Sequence, residues 1–225
     1  MLSDPAVERG LLFVYTARRK VNPREATMKT FLSAALLCLT LLSPTVTHAK
    51  TQDTVVFVGS SSIANWSSLQ RDFPAVHVVN GGTRGSKLAD ATLNVERLVI
   101  QYKPHTVVLY AGDNDVNVGT SPATIYADFK VFVATVHAAL PKTRIVYIAI
   151  KPSPSRWHLK NNIVATNTLI AEECAKNERL QFADVYSLML TPQGEPDTAF
   201  FQDDKLHLND AGYAIWRREL APFLN

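Results

Sequence analysis

From residue 54 onward, short apolar runs alternate with longer amphipathic stretches. "TVVFVG" (54–59), "VHVVN" (76–80), "HTVVLYAG" (105–112), "RIVYIAIK" (144–151) and "QFADVY" (181–186) are rich in Val, Ile and aromatic residues and have the length of strands. Between them, "SIANWSSLQRDF" (62–73), "LADATLNVERLVIQY" (88–102), "TIYADFKVFVATVHAAL" (124–140) and "NNIVATNTLIAEECAKNERL" (161–180) carry apolar residues at helical spacing, and "DAGYAIWRRELAPFL" (210–224) predicts a closing helix. Strands that are apolar throughout, rather than at alternate positions, are covered on both faces. The pattern therefore predicts a single three-layer α/β/α domain with a five-stranded parallel sheet, spanning residues 50–225. No internal repeat, low-complexity tract or linker interrupts it.

The chain ahead of this domain follows a different pattern. "MKTFLSAALLCLTLLSPTVTHAK" (28–50) has a lysine, an apolar run from Phe31 to Leu42, a break at Ser43-Pro44 and the small-residue ending Thr47-His48-Ala49. That series reads as a signal peptide over 28–49, with an apolar run too short for a stable membrane span. Residues 1–27 read as an upstream extension outside the mature protein. The expected location is exported, either periplasmic or secreted, with the mature chain starting near Lys50.

This division changes the charge balance. The chain has a formal net charge of +3, but residues 1–49 hold six of its 23 Lys/Arg and three of its 20 Asp/Glu, leaving 17 of each in the domain. A balanced domain offers no basic patch for nucleic acid. Cys38 falls in the leader, so Cys174 stands alone, and its helical pattern marks it as a small buried apolar residue with no internal disulfide.

Candidate chemistry gathers where ligands bind in such sheets, beyond the carboxyl ends of the strands. "GSSS" (59–62) follows the first strand, "NGGTRGS" (80–86) the second, "GDND" (112–115) the third and "KPSPSRW" (151–157) the fourth. A serine hydroxyl becomes a nucleophile only with a base, a group that orients the base, and donors for the developing oxyanion. His207, in "FFQDDKLHLNDAGY" (200–213), has Asp204 three residues before it. That spacing lets a carboxylate reach the imidazole. His77 and His105 begin strand patterns and His137 lies in a helix, so these three read as structural or solvated. Taken singly, each fragment has an ordinary reading: Asp-x-x-His as a surface pair or cap, "GDND" as an Asx-rich turn and "NGGTRGS" as a flexible loop.

Taken in order, Gly59-Ser60-Ser61-Ser62, the Gly-rich turn at 80–86, Gly112-Asp113-Asn114-Asp115 and Asp204-x-x-His207 resemble the SGNH hydrolases, the GDSL-type esterases and lipases, over essentially all of 54–220. The resemblance implies the flavodoxin-like fold of that family. It makes Ser61 the nucleophile, with Ser60 in the usual place of aspartate and Ser62 in that of leucine. His207 becomes the base and Asp204 its orienter. The oxyanion hole would consist of the Ser61 and Gly85 backbone N–H groups and the Asn114 amide. Arg84 stands where the family has a small residue, so Gly82 is the alternative to Gly85.

The expected activity is hydrolysis of carboxylic esters with short acyl chains, because the rim segments are short and polar and no apolar lid is inserted. No cofactor or metal is expected. The partner is a small-molecule, carbohydrate or lipid ester, not nucleic acid. Polysaccharide O-deacetylation and lysophospholipase or thioesterase action are alternatives on the same scaffold, and a non-catalytic ligand-binding α/β protein is the alternative of another class. A metal-dependent phosphoesterase on Asp203, Asp204 and His207 lacks a second His/Asp cluster. Arg156 and Trp157 either line the substrate pocket or belong to an ordinary rigid loop. Trp66 and Trp216 are expected in the core. Asn65-Trp66-Ser67 matches a glycosylation acceptor but falls inside a predicted helix.

Overall fold

The computed structural model describes residues 53–224, so the expected extension (1–27) and signal peptide (28–49) lie outside the described residues. Five strands are present: β1 (Thr54–Gly59), β2 (His77–Gly82), β3 (Thr106–Tyr110), β4 (Arg144–Ile148) and β5 (Leu180–Ala183). All pair in parallel, in the order β2-β1-β3-β4-β5. The chain leaves β1 toward β2 on one side and returns to β3 on the other. That reversal opens a crevice at the carboxyl ends of β1 and β3.

The sheet is buried on both faces, and the two-residue period of the strands divides its side chains. Val55 and Phe57 of β1 join a cluster containing Trp66, Tyr213, Trp216 and Leu220. Val56 and Val58 point the other way, into a cluster with Phe129, Phe132, Ile163 and Ile170. Nine helices among the described residues cover these faces: α1 (Ser61–Ala64), α2 (Leu69–Asp72), α3 (Leu88–Leu93), α4 (Val95–Leu98), α5 (Asp113–Asn117), α6 (Pro122–Ala139), α7 (Lys160–Cys174), α8 (Val185–Leu188) and α9 (Asp210–Leu224).

Three of the five expected helices differ from the pattern. The stretch 62–73 breaks into α1 and α2. Trp66 enters the core from the non-helical turn between them, where Asp72 Oδ2 accepts from Trp66 Nε1 at 2.7 Å and from Ser68 Oγ at 2.5 Å. Those local side-chain bonds compete with a continuous helix. The stretch 88–102 breaks at Asn94, whose Nδ2 donates back to Asp90 O at 2.9 Å, and ends in a 3₁₀ turn at Lys103, immediately before Pro104. The third, over 161–180, stops at Cys174. β3, β4 and β5 end earlier than their apolar runs suggest, whereas β1 ends at Gly59 as expected and β2 runs on to Gly82. The Asn of the glycosylation pattern does not lie inside a continuous helix as expected. Asn65 caps the end of α1, and its Oδ1 already accepts from Arg84 Nε at 3.0 Å and Nη2 at 2.8 Å. Trp66 and Trp216 are core residues, and Cys174 is buried, which pushes its thiol up to about 12. No described helix is long and apolar enough to cross a membrane.

Candidate active site

Ser61 is the first residue of α1, directly after β1. The backbone is fixed on both sides of it: Ser60 N–H donates to Tyr110 O of β3 at 3.3 Å, and Tyr213 OH of α9 donates to Ser62 O at 2.9 Å. Ser60 and Ser62 are buried, while Ser61 is half-buried and its Oγ lies 2.9 Å from His207 Nε2. Of the three serines it alone makes that bond.

The base is set by a loop folded on itself. Asp204 Oδ1 accepts the backbone N–H groups of Leu206 and His207, both at 2.9 Å, and Oδ2 lies 2.5 Å from His207 Nδ1. A carboxylate only accepts, so Nδ1 carries the proton and Nε2 is left to accept from Ser61. Burial acts to raise the pKa of Asp204, but the bonds from the His207 ring and from the two backbone N–H groups outweigh it and hold the carboxyl at about 2. Gln202 N–H closes the loop on His207 O at 2.8 Å, and Asn209 Oδ1 accepts Gly212 N–H at 3.1 Å at the start of α9.

On the other side of Ser61 the Gly-rich turn packs against α1. A Cβ on Gly82 would lie 2.3 Å from Ala64 N, which only glycine avoids. Gly82 N–H is taken by Asn80 Oδ1 at 2.9 Å, whereas the N–H groups of Gly85 and Ser61 have no partner among the described residues. Arg84 ties this turn to Asn65 after α1, and Ser86 O ties it to Asn114, accepting from Nδ2 at 3.0 Å.

Asn114 stands where β3 turns into α5, a turn made by Gly112 at φ 107°. Its side chain is held at both ends. One Nδ2–H goes to Ser86 O, and Oδ1 accepts from Arg156 Nη2 at 3.2 Å. The second Nδ2–H has no partner among the described residues. Asp115 fixes the turn from beneath, accepting from Gly112 N–H at 3.1 Å and Leu88 N–H at 3.2 Å. Burial raises its pKa against those bonds.

The structure thus brings together Ser61, Asp204, His207, Asn114 and the turn carrying Gly85. Arg156 also belongs to the cluster, through Asp113 and Asn114. Trp157 instead carries Lys160 Nζ 5.0 Å from its ring centroid. Their segment is a 3₁₀ turn, Pro154–Leu159, tied to the Asp204–His207 loop by Ser155 N–H donating to Lys205 O at 3.1 Å. His77 and His105 lie at the opposite rim, and His137 Nε2 is 3.0 Å from Thr143 O. No group of three His, Cys, Asp or Glu among the described residues is placed to hold a metal ion.

Sequence reasoning overlooked a buried charge cluster. Asp113 receives Lys151 Nζ at 2.7 Å on Oδ2 and Arg156 Nη1 at 2.5 Å on Oδ1, with the side chains of Lys151 and Asp113 1% and 6% exposed. Tyr110 OH donates to Asp113 Oδ2 at 2.9 Å, and Lys151 Nζ reaches that hydroxyl at 3.0 Å. Burial, with the Asp113 charge added to it, pushes the Tyr110 hydroxyl well above its ordinary pKa. The signal was present in "RIVYIAIK": a lysine at the end of a fully apolar strand run must find a carboxylate in the interior.

Burial alone would raise the pKa of Asp113, but the charges and hydrogen bonds of Lys151 and Arg156 lower it from 3.8 to about 2. A depressed carboxylate contributes stability above its unfolded pKa and loses it as pH falls toward the folded value. The shift corresponds to about 2 kcal/mol. The wild-type protein should lose that much between roughly pH 4 and pH 2 beyond any loss in Asp113→Asn. Urea unfolding of both proteins across that range measures it; parallel acid limbs would contradict the assignment.

The fold agrees with comparisons to solved structures. A Streptococcus pneumonia protein named after platelet activating factor superposes with TM-score 0.69 at 20% identity, over 89% of this chain and 99% of its own. A GDSL-like lipase from Bacteroides thetaiotaomicron gives 0.64 at 21% identity, over 86% and 96%. A Geobacillus acetyl-xylooligosaccharide esterase gives 0.61 at 17%, over 77% and 94%. At these identities the likeness is one of fold. No curated protein matches the sequence. The model of the GDSL-like Lipase/Acylhydrolase family matches residues 49–215, and the chain belongs to that family of ester hydrolases.

Proposed function

We propose that the protein is an exported serine esterase in which Ser61, His207 and Asp204 form the catalytic triad. The observation that carries this reading is the hydrogen-bonded line from Asp204 through His207 to Ser61 Oγ, joining side chains 146 residues apart. Ser61 Oγ gives its proton to His207 Nε2 and attacks the acyl carbon. The tetrahedral oxyanion is received by Ser61 N–H, Gly85 N–H and the free Asn114 Nδ2–H. On collapse His207 protonates the leaving alkoxide. Water then attacks the acyl-enzyme with His207 again as base, and Ser61 departs. Asp204, held ionised at about 2, stabilises the imidazolium that forms twice in this cycle. The partner of Gly82 N–H favours Gly85 as the backbone donor.

The leader-like segment 28–49 supports export, and the family match begins where that segment ends. Exported protein should start near Lys50 on N-terminal sequencing; secreted material that retains 28–49 would reject processing at this point.

Ser61→Ala should lower kcat by about 10⁴-fold or more with the fold intact. Ser60→Ala and Ser62→Ala should keep much of the activity, since neither hydroxyl reaches His207. Kinetics on a chromogenic acetate ester decide this, and an inactive Ser60→Ala beside an active Ser61→Ala would reverse the assignment.

The polar rim also sets the acyl preference. Each methylene that leaves water contributes about 0.8 kcal/mol, but only where an apolar wall receives it. With little such wall, kcat/KM on matched esters should peak between acetyl and roughly hexanoyl. A steady rise through dodecanoyl to palmitoyl, measured below the micelle concentration, would instead identify a lipase.

A further inference from the structure

We infer that Arg156 is a positioning residue for the oxyanion, acting through Asn114; this rests on the proposed role of Asn114. The two ends of an asparagine amide are nearly the same shape, and a half-turn would aim Oδ1 at the developing negative charge. Two neighbours forbid that turn. Ser86 O can only accept, so it requires Nδ2 beside it, at 3.0 Å. Arg156 Nη2 can only donate, so it requires Oδ1, at 3.2 Å. Together they leave the second Nδ2–H unspent.

The choice of arginine follows from the geometry. Nη1 bonds Asp113 Oδ1 at 2.5 Å while Nη2 bonds Asn114, so one planar group spans two acceptors on adjacent residues. A lysine is a point charge and serves one direction at a time. Asp113 does not depend on Arg156 for neutrality, since Lys151 already occupies its other oxygen at 2.7 Å. Two cations against one carboxylate leave a net positive charge in the cluster, and the guanidinium delivers it to the carbonyl end of the Asn114 amide. A donor on Oδ1 polarises the amide and strengthens its N–H toward an anion. The anion exists only in the transition state and the tetrahedral intermediate, so the effect belongs in kcat rather than KM.

The test is steady-state kinetics of Arg156→Lys, Arg156→Met, Asn114→Ala and the Arg156→Lys/Asn114→Ala double variant, with urea unfolding of each. Asn114→Ala should lower kcat by about 10²–10³-fold. Each Arg156 variant should lower it by roughly 10–100-fold with KM within about threefold. Arg156→Lys keeps a cation beside Asp113 and should stay folded. In the Asn114→Ala background the Arg156→Lys change should cost almost nothing more. An equal loss in both backgrounds would show that Arg156 does not act through Asn114, and a raised KM with unchanged kcat would make it a substrate contact. If Asn114→Ala is slow while both Arg156 variants are normal, the inference alone falls. If Asn114→Ala is normal, the proposed oxyanion donor falls with it. Failure of both Arg156 variants to fold would assign the residue to the fold and overturn the inference.

Discussion

Two cations and one carboxylate lie behind the carboxyl ends of β3 and β4, and the rim above is built to suit them. An ammonium taken out of water loses several kcal/mol of solvation, and the interior recovers it only with close, well-aligned partners. Lys151 is 1% exposed, so Asp113 and Tyr110 have little freedom of position. Asp113 begins α5, Tyr110 ends β3, and Lys151 follows β4. Satisfying one buried lysine therefore fixes the spacing of these strand ends and the direction in which α5 leaves the sheet. Asn114 is the next residue along. Its placement follows from a charge problem solved one position earlier.

The proposed triad divides into a local part and a distant part. Asp204 and His207 are three residues apart, and the carboxylate bonds the histidine's own backbone as well as its ring, so this half assembles within one loop. Ser61 comes from the turn that follows the first strand of the domain. What brings the halves together is apolar packing: Trp66, just past α1, stacks on Tyr213 with ring centroids 5.0 Å apart and meets Trp216 at 5.9 Å. Tyr213 and Trp216 lie on α9, which follows directly from the histidine loop. The Tyr213 hydroxyl then donates to Ser62 O, so the same residue supplies both the packing and the polar tie beside Ser61.

The strands and the sheet class were legible because five apolar runs can only be covered strands. The long helices α6 and α9 were legible because apolar residues recur along them at helical spacing, and α7 was placed by the same spacing but expected to run six residues too far. Helices 62–73 and 88–102 were misread as continuous because periodicity does not register Ser, Asn and Asp side chains that bond the backbone in place of the next turn. The site was legible where its residues are close in sequence, as in "GDND" and Asp-x-x-His. Arg156 was visible only as a member of a polar loop. Its two acceptors are more than forty positions away, and nothing in "KPSPSRW" specifies them. A separation of 38 positions likewise hid which carboxylate Lys151 would pair with.

The three proposed oxyanion donors sit on three separate connections, and each is braced by a neighbour rather than by its own loop. Ser61 is held by bonds from Ser60 to β3 and from α9 to Ser62. The turn bearing Gly85 is strapped on one side by Arg84 to Asn65 and on the other by Ser86 to Asn114. Asn114 is held in turn by Arg156. Bracing of this kind leaves donors aimed without partners of their own, which in water would be a cost but at an oxyanion is the source of selectivity for the transition state. It also explains why Gly85 can remain exposed. Its position depends on the bonds of Arg84 and Ser86, not on a covering lid.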